Sequence, residues 1–141
     1  MLRSALAVVV GFVVTAVASV GTDGVLMLLL PRSIVEAQPP PPGLLVGIQF
    51  YCFVYAVLGA YVTAFIARRA EVRHALALGA IALALGIALS LPVLLGRSSD
   101  PQMPAWYAVL SLALVIPATA LGGCLRLLQR RRSPAADKKL P

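Results

Sequence analysis

Four long apolar blocks fill almost the whole of this chain. They cover residues 2–30, 44–67, 75–95 and 105–128, and only 12% of the 141 residues are charged against 60% hydrophobic. A membrane-spanning helix needs about 20 apolar residues, and the block at 75–95 lacks the polar alternation of a barrel strand. The sequence therefore predicts an all-α polytopic membrane protein, with four transmembrane helices in an antiparallel bundle.

Basic residues lie unevenly around these blocks. Ten of the 12 Lys and Arg residues lie at the start of block one, between blocks two and three, or at and beyond the end of block four, whereas Arg32 and Arg97 fall on the other side. Cytoplasmic connections are enriched in Lys and Arg, so we expect a multi-pass protein of the inner (plasma) membrane with both termini cytoplasmic. Six arginines are expected to set this topology and to attract anionic lipid headgroups: Arg68, Arg69, Arg73, Arg130, Arg131 and Arg132.

The chain is predicted to form one domain and a tail. Residues 1–128 make the transmembrane domain, and residues 129–141 make a basic cytoplasmic tail expected to be disordered. We expect no nucleic acid to bind, although a docking role for the tail is an alternative interpretation of its charge.

Block one is longer than a bilayer requires. Its helix is therefore expected either to tilt or to break near residues 21–24. A third possibility is a cleaved signal peptide with its cleavage site near residues 16–18. The connection that follows holds four prolines at 39–42, which are expected to form a stiff polyproline II spacer or, alternatively, a docking site for a partner.

Small residues recur at helical spacing in three of the blocks. Because lipid gives helices no hydrophobic reason to associate, such residues predict where helices pack closely. The short connection makes blocks two and three antiparallel neighbours, and we expect their small faces to meet. Pro117 is expected to kink block four or to free a carbonyl. The predicted packing residues are Ala56, Ala60, Ala64, Gly79, Ala82, Gly86 and Gly122.

Asp23 is the one acidic residue expected within the hydrocarbon. A charge there costs at least about 2.5 kcal/mol, so the carboxyl group should be protonated, paired or directed into a polar cavity. It lies about 10 Å below the membrane surface at helical rise, near the expected depth of Gln49, Tyr51 and Tyr55. These four residues form a candidate intramembrane polar cluster, which is either an ion, proton or small-ligand site or an interhelical hydrogen-bond contact.

The sequence predicts no metal or cofactor site. His74 is the only histidine and is expected to contact headgroups. Cys52 and Cys124 lie at different expected depths, so a disulfide between them is not expected and both should pack as small apolar residues.

Two segments resemble small bacterial four-helix inner-membrane proteins. The first is the run from Gly59 to Arg69 together with residues 74–79, and the second runs from Pro104 through Pro117 to Gly123. The resemblance implies a bacterial inner-membrane location and no particular activity.

These observations leave three candidate functions. The leading expectation is a non-enzymatic accessory or structural membrane component that packs against itself or another membrane protein. The alternative is a small oligomeric transporter or channel component that uses the polar cluster around Asp23. An enzyme acting on lipid is the third hypothesis.

Overall fold

The structure, a computed structural model, describes residues 2–35, 37, 40–67, 71–96 and 104–132. It contains four long helices, each long and apolar enough to cross a membrane, and no strand within the described residues. The predicted all-α four-helix bundle is confirmed. The elements are α1 (Leu2–Leu29), the short α2 (Arg32–Val35), α3 (Pro42–Ala67), α4 (Glu71–Leu94) and α5 (Ala105–Arg132).

Helix α1 runs without interruption from Leu2 to Leu29. The predicted alternative of a break near residues 21–24 is therefore wrong, and Asp23 lies on a continuous helix. The single helical turn of α2, in the connection that follows, was not predicted from the sequence. Whether the start of α1 is removed as a signal peptide stays a prediction.

Helix α3 begins at Pro42, because proline suits the first turn of a helix, where its missing N–H is not needed. The carbonyl oxygen of Pro41 accepts hydrogen bonds from the amides of Leu44 and Leu45, at 3.0 and 3.2 Å. Pro42 is thus helical rather than part of a polyproline II segment, and Pro39 lies outside the described residues.

The start of α4 and the end of α5 differ from their predicted positions. Helix α4 begins at Glu71, so Arg73 and His74 lie on the helix and not in a loop. Helix α5 continues through Arg132, so the predicted tail starts later than residue 129. Cationic side chains at the end of a helix interact favourably with its dipole, which accounts for the extra turn. Residues 133–141, and Arg68 and Arg69, lie outside the described residues.

The helices pack most extensively in three pairs, α3 with α5, α4 with α5, and α1 with α3. Helices α3 and α4 also touch, and Ala60 of α3 joins Ala75 and Leu78 of α4 in a small buried core. However, the glycines of α4 lie against α5, where Gly79 faces Thr119 and Gly86 faces Leu112. The expectation that the small faces of α3 and α4 meet therefore holds only at this core.

Glycine allows α1 and α3 to approach until their backbones touch. A Cβ atom on Gly11 would lie 2.6 Å from the carbonyl oxygen of Gly59, and one on Gly59 would lie 2.7 Å from the carbonyl oxygen of Gly11. Ordinary van der Waals contact begins near 3.4 Å, so any side chain at either position would separate the helices. Gly11 was not among the packing residues predicted from the sequence.

Helix α5 continues through Pro117. A proline ring has no N–H to donate to the carbonyl four residues earlier, so the carbonyl group of Ala113 loses its helical partner. Beyond this point, the hydroxyl group of Thr119 bonds back to the carbonyl oxygen of Val115 at 3.0 Å.

Candidate functional site

A polar cluster joins α1 to α3 near the end of the bundle where α1 ends and α3 begins. The hydroxyl group of Tyr51 donates a hydrogen bond to the Oδ1 atom of Asp23. One residue earlier on α1, the hydroxyl group of Thr22 lies 2.8 Å from that of Tyr55. We call Thr22, Asp23, Tyr51 and Tyr55 the α1–α3 polar cluster.

Helical spacing explains why these side chains meet. Tyr51 and Tyr55 are four residues apart and share one face of α3, with their ring centroids 5.7 Å apart. The hydroxyl group of Thr22 also donates to the carbonyl oxygen of Ala18 at 2.9 Å. The carboxyl group of Asp23 thus has a hydrogen-bond partner on another helix within the membrane-spanning region.

Gln49 does not belong to this cluster, although the sequence placed it there. It lies two residues before Tyr51, about 200° around the helix, and therefore faces α5. Its Oε1 atom accepts a hydrogen bond from the hydroxyl group of Ser111 at 2.7 Å. That hydroxyl group also lies 2.8 Å from the carbonyl oxygen of Tyr107, so the two acceptors share one proton.

The contact between Gln49 and Ser111 shows what sequence reasoning missed. Gln49 is only 8% exposed, and a buried amide in a membrane helix needs a partner. Gln49 matches Asp23 in expected depth, but depth alone does not specify the helix face that each residue occupies. The sequence did contain a signal for the contact with Ser111. The spacing of Ser111 from Ala118 places both residues on the same face of α5.

A half-open cavity of about 200 Å³ lies between α3 and α5 beside this contact. Its polar lining comes from Gln49, Ser111, Tyr107 and the thiol-bearing Cys52, and the rest is apolar. The apolar lining residues are Phe53, Ala56, Leu114, Val115 and Ala118. The predicted packing residue Ala56 therefore faces a cavity.

The other predicted packing residues have varied surroundings. Ala60 and Ala64 are fully buried, whereas Ala82 is partly buried. At Gly122, a Cβ atom would lie 2.7 Å from the Cβ atom of Ala60. Gly122 therefore marks a close approach of α5 to α3.

At the opposite end of the bundle, polar side chains again link α3 and α5. The guanidinium carbon of Arg126 lies 4.4 Å from the centre of the Phe65 ring, an arrangement typical of a cation–π contact. Its Nη1 atom donates to the Oε1 atom of Gln129 at 3.0 Å, and Tyr61 donates to the same oxygen. These contacts of Arg126 were not predicted from the sequence.

The remaining predicted residues lie outside the α1–α3 polar cluster. Arg73 and Arg130–Arg132 are exposed. Cys52 is partly buried, Cys124 is exposed, and both are free thiols. Within the described residues, no group of three or more His, Cys, Asp or Glu side chains is placed to hold a metal ion.

Comparison with known proteins returned no match among family models, curated proteins or solved structures. The assignment therefore rests on the helices themselves, four of which are long and apolar enough to cross a membrane. This chain is a multi-pass membrane protein that folds as a transmembrane four-helix bundle.

Proposed function

We propose that this chain is a non-enzymatic accessory or structural component of a bacterial inner membrane. It acts by packing its bundle against a second copy of itself or against another membrane protein. The observation that carries this proposal is a pair of glycines on α3, Gly43 and Gly47, whose faces are open to the bilayer.

These two glycines differ from those inside the bundle. A Cβ atom on either one would meet nothing within 4 Å, so the fold does not require a glycine there. They are four residues apart, and this spacing lets a second helix approach closely in a membrane. Val46 and Phe50, which are 57% and 71% exposed, lie on the same side of α3 and would extend such a contact.

Cysteine cross-linking in native membranes tests this assembly. In a background with Cys52→Ser and Cys124→Ser, the single variant Val46→Cys is expected to form a disulfide-linked dimer or an adduct with another protein upon oxidation. Adding Gly47→Ile should abolish the product, because a branched side chain keeps the second helix away. Ala84→Cys, on an exposed position of α4, is the matched control.

Two outcomes would contradict the assembly proposal. One is that Val46→Cys forms no more cross-linked product than Ala84→Cys under the same oxidising conditions. The other is that Gly47→Ile leaves the cross-linked product unchanged.

The orientation of the bundle forms part of the same proposal. We place both termini in the cytoplasm, and the exposed arginines at the end of α5 then lie at the inner membrane surface. Anionic lipid headgroups are the partners expected there. The positive-inside distribution of Lys and Arg in the sequence supports this orientation.

A second candidate function is favoured by the α1–α3 polar cluster. Acidic side chains within membrane helices often lie on ion or proton pathways, and the carboxyl group of Asp23 is hydrogen-bonded to Tyr51. An oligomeric transporter or channel component would use Asp23 as its proton-carrying group.

Proton flux into vesicles containing the purified protein distinguishes the two functions. If Asp23 carries protons, Asp23→Asn should abolish flux while Tyr55→Phe, which keeps the carboxyl group, should retain it. Equal flux in wild-type and Asp23→Asn vesicles would rule out proton coupling through this residue and leave the assembly proposal untouched.

A further inference from the structure

The α3–α5 cavity lies between two contacts that hold its walls in place. On one side the hydroxyl group of Ser111 bonds to Gln49. On the other side α5 meets α3 closely at Gly122. The cavity between them has a volume of about 200 Å³. An apolar cavity of about 150 Å³ is enough to hold benzene, so this one accommodates a body of roughly ten non-hydrogen atoms.

The polar end of the cavity carries the side-chain amide of Gln49. Gln49 is more than nine-tenths buried, with 8% of its surface exposed, and it lines the cavity. Its Oε1 atom is engaged by Ser111, and the same amide group carries the Nε2 atom. An amide nitrogen carries two N–H donors, and leaving them without an acceptor inside a membrane is unfavourable.

We propose that this cavity binds a small, largely apolar molecule that carries one carbonyl group and enters from the bilayer. The carbonyl oxygen accepts a hydrogen bond from the Nε2 atom of Gln49. The apolar body lies against the side chains of Phe53, Leu114 and Ala118. Two sources supply this chemistry, an ester carbonyl of a bilayer lipid or a free ketone, aldehyde or quinone dissolved in the membrane.

Photo-labelling of the full chain in lipid nanodiscs tests the proposal. The probe is a ten-carbon methyl ketone that carries a diazirine on its chain, and labelled residues are mapped by mass spectrometry. We expect saturable labelling within residues 49–56 and 107–118. Unlabelled 2-decanone should reduce this labelling at about one-fifth of the concentration that decane requires, as expected if one hydrogen bond is involved.

Two variants separate the cavity from its polar group. Ala56→Phe fills the cavity and should remove the saturable labelling. Gln49→Leu keeps much of the volume but removes the amide, so 2-decanone and decane should then compete equally. If Ala56→Phe fails to fold, Gln49→Leu alone still decides the matter. Labelling spread evenly over lipid-facing residues such as Val20, Leu28 and Leu89, with no competition, would overturn the proposal.

The lipid composition of the nanodiscs distinguishes the two sources. Ether lipids lack the ester carbonyl group. If a lipid ester normally occupies the cavity, then labelling by the ketone probe should be stronger in ether-lipid discs than in ester-lipid discs. If a free carbonyl compound is the natural ligand, then labelling should be equal in both.

Discussion

Gly122 is the position at which the packing of the bundle can be tested most sharply. A Cβ atom there would lie 2.7 Å from the Cβ atom of Ala60 and 2.9 Å from the backbone nitrogen of Tyr61. It would lie closer still to the carbonyl oxygen of Val57. Since ordinary contact begins near 3.4 Å, α3 and α5 would have to separate by more than about 0.7 Å to admit Gly122→Ala, the distance that the Ala60 contact alone requires.

The expected cost of this substitution follows from two opposing effects. Overpacking a well-packed contact costs about 1–3 kcal/mol, and two of the three atoms in the way are backbone atoms that cannot rotate aside. Alanine is favoured over glycine in a helix by up to about 1 kcal/mol. We therefore expect Gly122→Ala to lower the free energy of unfolding by about 1–2 kcal/mol, close to a tenfold change in the equilibrium constant.

Reversible unfolding by SDS in mixed micelles measures this difference, with the single tryptophan, Trp106 on α5, as the fluorescent reporter. The matched control is Gly24→Ala on α1, because a Cβ atom there would meet nothing within 4 Å. The control should be neutral or slightly stabilising. A Gly122→Ala protein as stable as the control would refute the packing argument at this contact.

Two further predictions concern the polar contacts between helices. Ser111→Ala should destabilise the bundle by about 1 kcal/mol, because the buried Gln49 loses its partner; the same SDS titration measures it, and unchanged stability would contradict the assigned hydrogen bond. In a double-mutant cycle, Asp23→Ala, which removes the acceptor oxygen, and Tyr51→Phe should show a coupling energy of about 0.5–2 kcal/mol. Fully additive effects in that cycle would show that the two side chains do not interact.

Helix number and approximate position were predictable because apolar block length is a strong signal for membrane helices. The four predicted blocks correspond to the four long helices. Helix ends were less predictable. At the start of α4, for example, polar and charged residues are compatible with either a helical turn or a loop. Arg73 and His74 illustrate this, since both are helical.

Partners across helices were predictable only where depth and helix face agreed. Asp23 and Tyr51 satisfied both conditions, and the structure brings them together. Gln49 matched Asp23 in depth but faces another helix, where it meets Ser111. Similarly, the contact of Gly11 with Gly59 depends on the relative rotation of two helices, which short sequence motifs do not specify.

The measurement that tests the proposed assembly role most directly is native mass spectrometry of the protein extracted mildly from its own membrane. The wild-type chain should appear in a defined complex, either with further copies or with a different membrane protein. Gly47→Ile should appear as the folded monomer. A wild-type chain found only as a monomer, indistinguishable from Gly47→Ile, would contradict the account.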